Sequence, residues 1–152
     1  MRRILDACDR YRGNAKRMRA LVLLMRYSGL RISDALSMSR ERITNGKLHL
    51  RTTKTGAEVW LPLPPAVLDA LAATGGQLFS DTGGQTKTWR RNMYRCLKKV
   101  FKDAEISGGH SHRFRHTFSC SLLEKGVPVE TVAITFYGFQ PNTGMMYSSA
   151  RI

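Results

Sequence analysis

The dipeptide Asn45-Gly46 is the feature that most constrains the fold of this chain. It separates two short segments, Ile43-Thr44 and Lys47–Arg51, in which apolar and polar residues alternate. Both residues of an Asn-Gly pair accept the positive φ angles of a tight type I′ turn, so the pattern predicts an antiparallel hairpin. The segment Val59-Trp60-Leu61 predicts a third strand, which completes a small antiparallel sheet.

Helical patterns flank this hairpin on both sides. Apolar residues recur at helical spacing from Arg17 to Tyr27, and Ser28-Gly29 ends that run. A second short helix follows, with Ser33 as its predicted cap. Further helices are predicted after Pro64-Pro65 through Leu71, after a cap at Thr86 or Thr88, from about His112 to Lys125, from Val127-Pro128, and around Tyr147. We therefore expect a mainly α-helical domain with a small antiparallel β-sheet, an α+β fold.

The net charge is the unusual aspect of the composition. The 152 residues include 25 Lys and Arg against 11 Asp and Glu, a formal net charge of +14. Such an excess favours a polyanionic partner, because each phosphate contact releases condensed counterions. Nucleic acid is the first candidate and an anionic membrane surface is the second. No apolar run approaches the length of a membrane span, and the first residues do not resemble a signal peptide.

The cysteines indicate a reducing compartment. Cys8, Cys96 and Cys120 are odd in number and lack the paired spacing of a metal site. Thiols of this kind fit a cytoplasmic protein better than a secreted disulfide scaffold. We therefore expect a cytoplasmic location.

Two segments carry residues suited to phosphate chemistry. Gly29–Asp34 reads GLRISD and places Arg31 at a turn between two helices, while His112–Phe118 reads HRFRHTF and places Arg115 near a helix start. The planar guanidinium of arginine donates two parallel hydrogen bonds to phosphate oxygens and stays charged. Taken alone, Arg31 is interpreted equally well as a surface residue that pairs with Asp34.

Together these segments resemble the tyrosine recombinases of the phage integrase family. GLRISD is similar to the first arginine box of that family, and HRFRHTF is similar to its H-x-x-R-H box. Thr53–Gly56 lies in a strand-to-strand loop, where the family keeps a catalytic lysine, and residues 122–127 are similar to its leucine-glycine connection. Tyr147 falls where the nucleophile of the family is expected. The likeness runs from about Arg17 to Tyr147, and four ordered signals carry it.

The resemblance implies an enzyme that cuts and rejoins duplex DNA through a tyrosine. Arg31 and Arg115 would clamp the phosphate, and Tyr147 would attack it to form a 3′-phosphotyrosine. Lys54 would protonate the departing 5′ oxygen, and His112 would exchange a proton with the tyrosine hydroxyl. No metal ion, other cofactor, membrane or small-molecule substrate is implied.

The end of the chain departs from the family pattern. Tyr137-Gly138-Phe139 stands where relatives usually carry Leu-Gly-His or Leu-Gly-Trp, and phenylalanine has no N–H to offer a phosphate. The interval from Phe139 to Tyr147 is also slightly shorter than the family norm. We expect residues 1–152 to form one catalytic domain of integrase type. The amino-terminal domain that closes the clamp around DNA would be absent, and the carboxyl-terminal tail would be short or diverged.

A zinc site is an alternative interpretation of the second arginine segment. His112, His116 and Cys120 recur along one face of the predicted helix. Ligands along a single helix cannot close a tetrahedron by themselves, so we expect no metal there. His116 is expected instead to make a structural hydrogen bond that supports Arg115.

Three other functions are compatible with parts of the sequence. The altered end favours a catalytically inactive remnant of an integrase that still binds DNA. A basic RNA-binding or ribosome-associated protein would explain the charge, but not the ordered series of Arg, Lys, His and Tyr. A type IB topoisomerase shares the chemistry, although the residues of the two arginine segments match recombinases better. The resemblance implies a protein encoded by a bacterium or a phage, on a mobile element. The recognition sequence, the direction of recombination and self-association on DNA stay open.

Overall fold

The fold is mainly helical, with one small sheet inserted early. A computed structural model describes residues 1–51, 58–75, 79 and 87–137. Its elements are α1 (Arg2–Asp9), α2 (Ala15–Ser28), α3 (Ile32–Leu36), a 3-10 turn (Arg40–Arg42), β1 (Ile43–Thr44), β2 (Lys47–Arg51), β3 (Glu58–Pro62), α4 (Pro65–Ala72), α5 (Lys87–Asp103), α6 (His112–Glu124) and α7 (Val129–Tyr137). The predicted fold class is confirmed.

The sheet is the predicted antiparallel meander. Its strand order is β1-β2-β3, and both pairs are antiparallel. Asn45 and Gly46 have φ angles of 50° and 71°, the left-handed values that a type I′ turn requires. The Gly46 carbonyl also accepts a hydrogen bond of 2.9 Å from the amide of Leu63, which ties the turn to the chain that leaves β3. In this register His49 lies directly opposite Trp60.

The core is built around α2. The helix begins where the side chain of Asn14 accepts a hydrogen bond of 2.9 Å from the amide of Arg17. It packs against α1, α3, α4 and α6. Met18 and every residue from Ala20 to Met25 are buried. Six consecutive residues cover every direction around the helix axis, so the middle of α2 is enclosed by the core and gives the turn at its carboxyl end a fixed place.

The first helix was not among the predicted elements. Helix α1 buries only Ile4, Ala7 and Cys8 and exposes its charged residues. The helix packs against α2 and α5, and Arg3 adds an exposed ion pair of 3.0 Å with Glu105, just beyond α5. Three apolar residues in a charged octapeptide are a weak helical signal, since a short helix depends on tertiary packing rather than on its own propensity.

The remaining helices lie close to the predicted segments. Helices α4, α6 and α7 agree with prediction to within two residues. Thr88 lies inside α5 rather than at its cap, and Thr86 lies outside the described residues. Arg40 donates hydrogen bonds to the carbonyl of Leu71 at 2.9 Å and to the hydroxyl of Thr74 at 3.1 Å, so that it caps the end of α4. In the described segments no helix is both long enough and apolar enough to cross a membrane.

Candidate active site

The turn between α2 and α3 is a compact, buried structure that presents Arg31. The hydroxyl of Ser28 donates a hydrogen bond of 2.6 Å to the carbonyl of Leu24 and accepts one of 3.3 Å from the amide of Leu30. Gly29 has a φ of +64°, and its amide donates to the carbonyl of Met25 at 3.0 Å. A left-handed residue that closes a helix in this way favours glycine. The predicted helix stop is confirmed, and it also shapes the site.

Arg31 is the residue at which α3 begins. Its carbonyl accepts hydrogen bonds from the amides of Asp34 at 3.0 Å and Ala35 at 2.9 Å, and it has the extended backbone of an N-cap residue. Its side chain is exposed and makes no cap hydrogen bond. The prediction that Ser33 caps this helix was wrong, because Ser33 lies within α3, where its hydroxyl contacts the Asp34 carboxylate at 3.2 Å.

The surface-pair interpretation of Arg31 finds no support in the geometry. Within the described part of the chain, Arg31 and Asp34 form no ion pair. The Arg31 guanidinium is held at a helix start, and it faces solvent. Such a side chain is available to an external anion.

Arg115 joins the second arginine segment to the first. It lies three residues after His112, the first residue of α6, and only 9% of it is exposed. Its guanidinium donates a hydrogen bond of 2.8 Å to the carbonyl of Gly29, across 86 positions of sequence. A buried charge needs such a partner, because desolvation without one is costly. The contact places Arg115 at the turn that presents Arg31, which only tertiary packing could bring about.

Arg113, the other arginine of the HRFRHTF segment, has a different hydrogen-bond partner. Arg113 is exposed and donates a hydrogen bond of 3.0 Å to the carbonyl of Ser107, in the loop that precedes α6. Arg113 therefore fixes the loop before α6, whereas Arg115 hydrogen-bonds to the α2–α3 turn. The two arginines, two residues apart in the first turns of α6, contact different parts of the protein.

The histidines of α6 are exposed to solvent. His112 is the first residue of the helix, and its ring centroid lies 6.2 Å from that of His110. His116 lies one turn further along, with its Nε2 atom 3.7 Å from Cys120 Sγ. The observed partner of His116 is therefore Cys120, in place of the expected support for Arg115. Among the residues that the structure describes, no group of three or more His, Cys, Asp or Glu is arranged to hold a metal ion.

Three predicted site residues lie outside the described residues, namely Lys54, Phe139 and Tyr147. Their roles stay predictions. The strands on either side of the lysine segment are described, and Arg51 pairs with Glu58 in the last rung of the sheet. Strands β2 and β3, which precede and follow this segment in the sequence, are therefore antiparallel neighbours in the sheet.

Helix α5 supplies a strongly basic surface. All of its lysines and arginines are exposed: Lys87, Arg90, Arg91, Arg95, Lys98, Lys99 and Lys102. The helix packs against α1 through its opposite face, where Leu97, Val100 and Phe101 are buried. Charge concentrated on one exposed helix face attracts polyanions at long range.

Cys8 and Tyr11, on the α1–α5 side of the core, both have raised pKa values. Burial, and then the nearby Asp9 carboxylate, raise the pKa of the Cys8 thiol from 9.0 to about 12. A hydrogen bond of 2.8 Å from the Tyr11 hydroxyl to Cys96 Sγ is the main cause that raises the pKa of Tyr11 to about 12. Both groups are therefore neutral at physiological pH, so neither supplies an anion to this side of the core.

Sequence comparisons relate the chain to known recombinases. The family model for the phage integrase family matches residues 1–136. A tyrosine recombinase of Thermosipho africanus (strain TCF52B) is 28% identical over 126 residues, which cover 78% of this chain and 44% of that protein. The chain therefore spans less than half the length of this relative.

Solved structures share the fold. The catalytic domain of bacteriophage HP1 integrase matches with a TM-score of 0.64 and 22% identity, over 90% of this chain and 75% of that one. A lambda integrase dimer bound to a COC′ core site matches with a TM-score of 0.64 and 19% identity, over 99% of this chain and 58% of that one. The fold is that of a tyrosine recombinase catalytic domain. Since the family model covers residues 1–136, the chain belongs to the phage integrase family.

Proposed function

We propose that this chain is the catalytic part of a site-specific DNA recombinase, which cuts and rejoins strands through a 3′-phosphotyrosine. The observation that carries the proposal is the hydrogen bond of 2.8 Å from Arg115 to the Gly29 carbonyl. It sets a buried guanidinium beside the turn that presents the exposed Arg31. Two guanidinium groups from separate segments can stabilise the charge that develops on the oxygens of one phosphate.

The proposed reaction balances its protons within the site. The Tyr147 hydroxyl oxygen attacks phosphorus, and the bond from phosphorus to the 5′ oxygen breaks. The tyrosine proton passes to His112, and Lys54 gives a proton to the departing 5′ oxygen. Arg31 and Arg115 neutralise the non-bridging oxygens throughout. Because the phosphotyrosine conserves the bond energy, a 5′ hydroxyl can attack it and rejoin a strand without ATP.

Duplex DNA is the proposed partner. The formal net charge of +14 and the exposed basic residues of α5 suit a polyanion. The structural neighbour bound to a core site is a dimer, and we extend that arrangement to this chain as a proposal. Further copies would associate on DNA, within the cytoplasm of a bacterium that carries a phage or mobile element.

Phe139 favours a second candidate function, a DNA-binding remnant without activity. The family usually has histidine or tryptophan at this position, and phenylalanine cannot donate a hydrogen bond to the phosphate. Loss of one such donor typically costs a factor of about 10²–10³ in rate, so it weakens catalysis rather than abolishing it. We therefore keep the active recombinase as the main proposal. No observation specifically favours RNA binding or a topoisomerase.

A covalent-capture experiment tests the proposal. The full chain is incubated with a library of nicked duplexes of randomised sequence, and protein–DNA adducts are isolated under denaturing conditions and sequenced. We expect adducts that survive EDTA, disappear in Tyr147→Phe and increase in Phe139→His.

The possible failures of this experiment are distinct. Absence of adduct from both the native chain and Phe139→His, with DNA binding retained, would establish the inactive remnant. An adduct that persists in Tyr147→Phe would identify another nucleophile, with Tyr137 as the first to test. Loss of the adduct in EDTA would refute the metal-free reaction, and a strong preference for RNA would refute the choice of partner.

A further inference from the structure

The outward face of the small sheet carries a stacked pair of rings. The ring centroids of His49 and Trp60 lie 4.4 Å apart, and the two ring planes differ by 21°. The two residues are direct partners in the antiparallel register of β2 and β3. Trp60 is nevertheless 51% exposed. Since the imidazole covers one face of the indole, the exposed surface of Trp60 includes the opposite face.

The indole is held in place before any ligand arrives. On the other face of the sheet Leu48 is fully buried, and Leu50 and Leu61 pack against the core. Because side chains alternate along a strand, these residues fix the sheet while His49 and Trp60 point away from the core. The stack then restricts the indole itself. A side chain that is already ordered loses less conformational entropy when it binds a ligand.

The surroundings of Trp60 are polar. Thr44, Lys47 and Glu58 are exposed, and Glu58 Oε1 lies 3.6 Å from His49 Nε2. Among the sheet residues whose side chains the structure describes, Trp60 is the only large apolar one that is exposed. An interface with another protein typically has a contiguous apolar centre. One aromatic ring within a polar surface suits instead a ligand that is itself a flat ring.

Charge selects among flat ligands. Lys47 lies two residues before His49 on the same strand, so both side chains are on the outward face. With a formal net charge of +14, the protein attracts polyanions. A nucleobase joined to phosphates combines a flat ring with negative charge, and every base has a π face that can stack on an aromatic side chain. In a duplex the neighbouring base pairs cover that face, so only an unpaired base can use it.

We propose that Trp60 is a stacking platform for an unpaired base of single-stranded DNA. His49 is the ring that holds the indole, and Lys47 contacts the adjoining phosphate. The inference goes beyond the proposed function, since binding of a base requires neither cleavage nor a nucleophile. In that function a cut strand can leave its duplex, so unpaired bases arise during the reaction.

Quenching of indole fluorescence tests the platform directly. The chain has two tryptophans, so Trp89→Phe, a change on α5 and outside the sheet, leaves Trp60 as the only indole. This variant is titrated at low salt with a single-stranded thymidylate pentamer, and an abasic pentamer with the same phosphates competes for the site. We expect thymidylate to quench the emission of Trp60 to saturation. The abasic pentamer should be about 5- to 150-fold weaker as a competitor, a factor equivalent to about 1–3 kcal/mol for one stacked base.

Two further variants separate the ring from the charge, with binding followed by the anisotropy of labelled oligonucleotides. Trp60→Leu keeps an apolar side chain without a π face, so it should lose the preference for thymidylate over the abasic pentamer and keep the native affinity for an intact duplex. Lys47→Gln is the matched control on the same face. It should weaken both pentamers by the same factor and keep the preference, because it removes a phosphate contact only.

Several results would overturn the inference. Absence of quenching, or equal competition by the two pentamers, would show that no base stacks on Trp60. Equal losses of affinity for duplex and single strand in Trp60→Leu would identify a duplex contact, and a change in its sedimentation would identify an interface between copies of the chain. If Trp60→Leu does not fold, the titration of Trp89→Phe still decides, because that variant leaves the sheet unchanged. No measurement here requires a covalent adduct, so the platform and the proposed function can fail separately.

Discussion

Replacing either arginine of the proposed phosphate clamp, Arg31 or Arg115, by methionine should separate stability from activity. Arg115 is 9% exposed and donates a charge-assisted hydrogen bond of 2.8 Å to the Gly29 carbonyl. Such a bond contributes about 1.5–3 kcal/mol to the free energy of unfolding. Methionine carries no charge, so the variant avoids the cost of desolvating a buried guanidinium, and this offsets part of the lost bond energy. A net loss of about 1–2 kcal/mol would lower the melting temperature by about 3–6 °C in a domain of this size. Arg31 is exposed and makes no cap hydrogen bond, so its replacement should change stability by less than about 0.5 kcal/mol.

Both replacements should nevertheless reduce cleavage to a similar extent. In the proposed mechanism each variant lacks one donor to the phosphate, and the loss of such a donor costs a factor of about 10²–10³ in rate. Thermal unfolding followed by circular dichroism gives the stability, and the initial rate of adduct formation gives the activity. The reasoning is refuted if Arg115→Met melts with the native chain, or if Arg31→Met melts as early as Arg115→Met.

Three further predictions concern the site, the partner and the core. Gly29→Ala and Gly126→Ala both force alanine into a left-handed backbone, at φ +64° and +80°. Each variant should lose about 1–2 kcal/mol of unfolding free energy. Only Gly29→Ala should also reduce adduct yield. Equal adduct yields would contradict the role of the turn. Affinity for duplex DNA should fall by a factor of about 10³–10⁵ between about 50 and 200 mM salt if six or more phosphates are contacted, and a flat titration would contradict the charge argument. The raised pKa of Cys8 means that the folded state favours the neutral thiol. The contribution of this thiol to the free energy of unfolding is therefore complete below pH 9.0 and is lost as the pH rises to about 12. Denaturant unfolding across that range should show a steeper loss for the native chain than for Cys8→Ala, and parallel curves would refute this.

Much of the fold was predictable because its signals are local. The turn at Asn45-Gly46, the helical spacing from Arg17 to Tyr27 and the stop at Ser28-Gly29 each depend on neighbouring residues, and the structure confirms all three. Helix α1 was not predictable in this way, since its stability depends on packing against α2 and α5. The start of α3 was misplaced at Ser33, because Arg31 caps it through its backbone and not through a side chain.

The sequence by itself determined the family, the basic character and the identity of the two arginine segments. Only the tertiary structure decided how those segments meet. The hydrogen bond from Arg115 to the Gly29 carbonyl spans 86 positions, and no periodicity or spacing encodes such a contact. The stack of His49 on Trp60 likewise follows from strand register, and the partner of His116 proved to be Cys120. The physical reason is that local preferences choose helices and turns, whereas the partner of a polar side chain depends on which surfaces the hydrophobic core brings together.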